Sequence, residues 1–134
     1  MSDEKRRRRT SRLVGATLAL GAALAVAGPT AAGGAGEVER EGDCTGNAEW
    51  RLEVEHEDGG LQVDLRIRQD DQAGKLWDIR IRHDGVRFFK GTRRTDENGE
   101  IRIRRQRPNT AGTDRFSFRA FGPGSQTCRG AVTI

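Results

Sequence analysis

The chain has 134 residues, 33% of them charged, with 24 basic and 20 acidic side chains. Six of the basic and two of the acidic residues fall in the first 32, which read as an export leader. The remaining 102 residues carry eighteen charges of each sign. A neutral mature chain excludes a small basic nucleic-acid binder as the default class, and its length allows one domain around one core.

The leader begins with the basic cluster Lys5 to Arg12, continues through the uncharged run Leu13–Ala27, and ends in small residues after Gly28-Pro29. Basic, apolar and small-residue regions in that order make a secretory signal. Thr30-Ala31-Ala32 offers the preferred cleavage site and Ala25-Val26-Ala27 the second. The apolar run is short of the roughly 20 residues that span a bilayer, so contact with a membrane is expected only where the leader is retained. Residues 33–43 read as a flexible linker ahead of a domain over 44–134. Its two cysteines, Cys44 and Cys128, form an even pair in a small exported chain and are expected to be bridged.

Period-two alternation then dominates. Trp50, Leu52 and Val54 alternate with Arg51, Glu53 and Glu55; Leu61 to Ile67 repeat the pattern, and Trp77, Ile79 and Ile81 carry it on. Val86 and Phe88 mark a fourth strand, with Phe89 at its edge or bulged. Asp96-Glu97-Asn98-Gly99 reads as a hairpin turn before Ile101 and Ile103. Phe116, Phe118 and Ala120 make a sixth strand, and Cys128, Val132 and Ile134 a seventh. Seven regularly spaced strands point to an all-β immunoglobulin-like sandwich. In an antiparallel succession of seven strands, Cys44 and Cys128 fall at the same end, so a bridge between them fits the topology.

Two resemblances bear on the fold. Gly91-Thr92 and Thr95-Asp96-Glu97-Asn98-Gly99-Glu100-Ile101-Arg102-Ile103 resemble the turn-and-strand signature of transthyretin-like sandwiches, the alternative architecture. Across the mature region, Cys44, Trp50-Arg51-Leu52, Trp77, Arg82-His83-Asp84-Gly85, Phe89-Lys90-Gly91-Thr92, Asp114-Arg115-Phe116 and Gln126-Thr127-Cys128 resemble small exported immunoglobulin-like proteins of high-GC Gram-positive bacteria. The second resemblance implies a compartment and a fold but no mechanism. The antibody pattern itself is not followed, because the chain has no Tyr for a tyrosine corner and Phe116 stands in its place.

Charge is unevenly distributed. Residues 37–58 hold nine acids and two bases, whereas residues 79–134 hold thirteen bases and five acids. One reading is internal pairing, with Glu53, Glu55 and Glu57 facing Arg66 and Arg68 across neighbouring strands. The sharper reading uses strand parity. Arg80 and Arg82 on the third strand, and Arg115 and Arg119 on the sixth, point outward on strands that neighbour each other in such a sandwich. Arg129 and Ser117 join them. A cluster of guanidinium forks suits phosphate or carboxylate. In an exported protein the expected partner is an anionic cell-envelope polymer. The alternative is an inhibitor that binds a secreted hydrolase through a loop, Asp70–Gly74 or Pro108–Thr113.

Catalysis finds no support in the sequence. His56 and His83 read as structural or solvent-facing, and neither Ser117 nor Ser125 lies in a nucleophile elbow. Asp58, Asp64, Asp70, Asp71 and Asp78 lack the alternating-oxygen spacing of a calcium loop. No cofactor or metal is expected. Nucleic acid is disfavoured because Phe121 is the single aromatic expected on the basic face.

Overall fold

Residues 36–134 are described by a computed structural model; the expected signal peptide, residues 1–32, lies outside them. The strands are β1 (Glu37–Asp43), β2 (Glu49–Glu57), β3 (Gly60–Arg68), β4 (Leu76–His83), β5 (Val86–Arg94), β6 (Glu100–Arg107), β7 (Arg115–Phe121) and β8 (Thr127–Thr133). They form two four-stranded sheets, β1-β2-β3-β6 and β5-β4-β7-β8, with every neighbouring pair antiparallel. The second to eighth strands follow the expected order. β2, β3 and β6 take the places of A, B and E in an immunoglobulin-type sandwich, β4, β7 and β8 those of C, F and G, and β5 extends the second sheet beside β4. The fold is the expected sandwich in its immunoglobulin-like rather than its transthyretin-like form.

Local turn chemistry accounts for the two tight hairpins. Asp58-Gly59 joins β2 to β3 and Asp84-Gly85 joins β4 to β5, with all four residues at positive φ. Paired left-handed residues twist in the same sense as the flanking strands, and this favours two-residue hairpins. The inner faces meet in a core that includes Leu52, Leu65, Trp77, Ile79 and Phe116, all essentially inaccessible to water. Trp77 is fully buried on β4, where immunoglobulin-type domains carry their core tryptophan.

Three expectations need correction. Residues 37–43, read as linker, pair along their whole length with β2, so an eighth strand extends the first sheet. The strand is anchored by Trp50, whose indole is covered by Gly42 of β1 and Gly130 of β8; a Cβ at either glycine would come within 2.7 Å and 2.3 Å of the ring. Asp96–Gly99 is not a hairpin, because β5 and β6 lie in different sheets. The segment is a sheet-crossing corner closed by the Asp96 carboxylate, which accepts from the amides of Asn98 at 2.8 Å and Glu100 at 2.9 Å. Finally, Glu53 stands opposite Asp64 and Glu55 opposite Gln62, not opposite Arg66 and Arg68.

The disulfide is present. Cys44 lies in the β1–β2 loop and Cys128 in β8, so the bridge links the two sheets across 84 residues of chain. Thr45 and Thr127 reinforce it. Thr45 donates its amide to the Thr127 carbonyl at 2.9 Å, and the Thr127 amide donates to the Thr45 hydroxyl at 2.9 Å. Such a bridge belongs to an oxidising compartment. None of the described helices is long and apolar enough to cross a membrane.

Candidate functional site

The antiparallel pairing of β5, β4, β7 and β8 decides which side chains stand side by side on the outer face of the second sheet. Lys90 is opposite Arg80, Arg80 opposite Arg119, and Arg119 opposite Arg129. Four cations therefore occupy one row across four adjacent strands. With strands ~4.8 Å apart, the row runs about 14 Å perpendicular to the chain direction. The next row begins with Arg87 and Arg82, followed by Ser117 and Ala131. Arg115 lies opposite Thr133 at the far end of the same face.

All five arginines expected on this face, Arg80, Arg82, Arg115, Arg119 and Arg129, line one groove of about 480 Å³ together with Ser117 and Phe121. The same face also carries Lys90 and Arg87, paired with Arg80 and Arg82 but outside the groove lining. Both belong to β5, where a bulge opposite Ile81 and Arg82 leaves Phe88 without a partner. That extra residue turns Phe89 into the core and Lys90 outward.

The two outer faces treat their charges differently. On the outer face of the first sheet, Arg51, Arg66, Arg68, Arg102 and Arg104 each have a carboxylate partner. Arg51 pairs with Glu39, and Arg68 with Asp70 at 2.9 Å. Asp64, itself buried, receives Arg102, Arg104 and Arg66. The Asp64 hydrogen bond raises the Arg102 pKa, and the Glu39 hydrogen bond does the same for Arg51. Burial, followed by the nearby Glu37, pushes Glu53 above its ordinary value.

On the second sheet, Arg80 approaches Asp78 at 3.6 Å. Among the described residues, no carboxylate lies within ion-pair distance of Lys90, Arg82, Arg87, Arg115, Arg119 or Arg129. Like charges directly opposite each other destabilise a sheet, so this row costs the fold stability. Phe121 stands beside the row, opposite Asp78, with the Arg80 guanidinium 5.9 Å from its ring centre.

The other polar cluster serves the fold. His83 is buried, stacks on Phe116 with ring centres 4.3 Å apart, and holds Asp114 through Nε2 at 2.5 Å. Asp114 also accepts from the Thr110 hydroxyl at 2.6 Å. Burial raises its pKa, but the hydrogen bonds from Thr110 and His83 outweigh that effect and hold the carboxyl below its ordinary range. This chain anchors the β6–β7 loop, the corner where a tyrosine would otherwise make the tie. Asp84 lies 3.5 Å from the same Nε2, so His83, Asp84 and Asp114 could together hold a metal ion, as could Glu37, Glu53 and Glu55.

The two loops considered for an inhibitor lie at opposite ends of the sandwich, and each is tethered. Thr95 donates its hydroxyl to the Gln72 carbonyl at 2.5 Å and fixes Asp70–Gly74; Thr110, bonded to Asp114, fixes Pro108–Thr113. The acids weighed as calcium ligands do not converge: Asp64 is engaged by arginines on the first sheet, whereas Asp58 and Asp70 sit at opposite ends of β3. Comparison with known proteins finds no family model and no curated relative that matches the chain.

Proposed function

We propose that this protein is an exported, non-catalytic binding module of the cell envelope that recognises an anionic polymer through the outer face of its second sheet. The observation that carries this reading is the row Lys90–Arg80–Arg119–Arg129, which has one carboxylate, Asp78, within reach. A solvated face of no function is expected to pair its arginines with carboxylates, as Arg51, Arg66, Arg68, Arg102 and Arg104 are paired on the first sheet. A concave, unneutralised face instead gains most when an external polyanion supplies the missing charge. The disulfide and the leader read from the sequence support an extracellular or envelope location.

Binding to isolated cell envelopes across a salt series tests the proposal, with a variant reversing Arg80, Arg82, Arg115 and Arg119 to Glu alongside. Binding should weaken steeply as salt rises and disappear in the variant. Binding that is indifferent to salt, or retained by the variant, overturns the reading.

A further inference from the structure

We infer that the polymer is an acidic polysaccharide carrying a carboxylate on its sugar residues, lying across the strands along the cation row with one ring against Phe121; this rests on reading the face as an anion-binding surface. Two features of the groove point to this ligand. Its cations repeat at the strand spacing of ~4.8 Å, so carboxylates on alternate residues of an extended pyranose chain, which face the same side, can meet alternate side chains of the row. At the edge of the row stands an exposed phenyl ring, Phe121, 41% accessible and facing the same way as Arg80 and Arg119.

A large apolar side chain exposed beside four cations has no role in binding a bare phosphodiester chain, which offers charge and no flat apolar surface. A pyranose offers both. Its carboxylate accepts hydrogen bonds from the guanidinium forks, and its axial C–H hydrogens present a weakly positive face to the negative face of the ring. The concavity of the groove also favours a chain one residue wide over the flat surface of a bilayer.

The test compares oligogalacturonate, polyphosphate of matched charge, neutral dextran and phosphatidylglycerol vesicles as ligands for the protein expressed as the full chain and oxidised. Oligogalacturonate should bind about tenfold more tightly than polyphosphate, with dextran unbound. Phe121→Ala should remove most of that preference by weakening oligogalacturonate binding more than polyphosphate binding, and an unchanged melting temperature would show that the fold is intact. Polyphosphate or vesicles binding as tightly as the glycan overturns the inference, as does a Phe121→Ala variant that weakens both polyanions equally. In either case the anion-binding reading survives. If no polyanion binds and envelopes are also ignored, both readings fall.

Discussion

Arg119 sits at the centre of the cation row, with Arg80 on one side and Arg129 on the other. If the row is kept for a ligand and not for the fold, removing its central charge should stabilise the free protein. Arg119→Gln keeps most of the aliphatic stem and deletes the charge. Two unit charges about 6 Å apart in water repel by ~0.7 kcal/mol, so two neighbours contribute ~1.4 kcal/mol before screening. At 0.1 M salt, where the Debye length is ~10 Å, about 0.8 kcal/mol survives; at 1 M it falls to ~0.2 kcal/mol. For a domain of this size the low-salt gain corresponds to a rise of about 3–6 °C in melting temperature. Urea unfolding at both salt concentrations reads the effect directly. Arg102→Gln is the internal control, because Arg102 binds the buried carboxylate of Asp64 and its loss should lower stability by up to ~1 kcal/mol. An Arg119→Gln variant that is no more stable than its parent at low salt, or whose gain does not shrink as salt rises, would refute the idea that these cations are held against mutual repulsion.

Replacing both Cys44 and Cys128 with Ala opens a loop of 84 residues and should cost about 4.5 kcal/mol on the chain-entropy account, read as a fall of about 20 °C or more in melting temperature; a loss below ~1 kcal/mol would mean that β1 and β8 are already held without it. Asp114→Asn tests the buried tie to His83 and Thr110. Because the native carboxyl titrates below its ordinary value of 3.8, its stabilisation is fully present above that value and lost as pH falls through the lower native one. The stability gap between parent and variant should therefore be constant at neutral pH and narrow in acid, and a gap independent of pH would show that the charge of Asp114 is not what stabilises the corner. Gly130→Ala places a Cβ within 2.3 Å of the Trp50 ring and should cost about 1–3 kcal/mol, with altered tryptophan fluorescence; a neutral result would mean that Trp50 can move aside.

How far the sequence carries the fold depends on what each strand buries. β2, β3, β4 and β7 alternate cleanly because one face of each is core, and their positions were legible from Trp50 to Ala120. β1 escaped detection for the opposite reason. It is an edge strand in which Val38 is the single apolar side chain packed on the core, and its contact with Trp50 is made by a glycine. A residue without a side chain leaves no mark in a hydrophobic pattern. The corner at Asp96–Gly99 shows a related gap: turn chemistry reports that the chain reverses, and tertiary packing decides whether it returns to the same sheet.

The site follows the same logic one level up. Parity assigned Arg80, Arg82, Arg115, Arg119 and Arg129 to one outward face, and the neighbouring of β4 and β7 brought them together. Parity failed on β5, where the bulged Phe88 shifts the alternation by one and sends Lys90 outward. No pattern within a single strand reveals that Lys90, Arg80, Arg119 and Arg129 fall in one row, because that alignment depends on three independent registers. Each register also aligns core side chains on the other face of the sheet: Ile81 with Phe89, Ile79 with Ala120 and Ile81 with Phe118, and Ala120 with Cys128. Stability therefore dictates where the cations stand but does not require that they be cations. The choice of four like charges in one row is the part that packing leaves unexplained, and it is the part that the proposed external anion would explain.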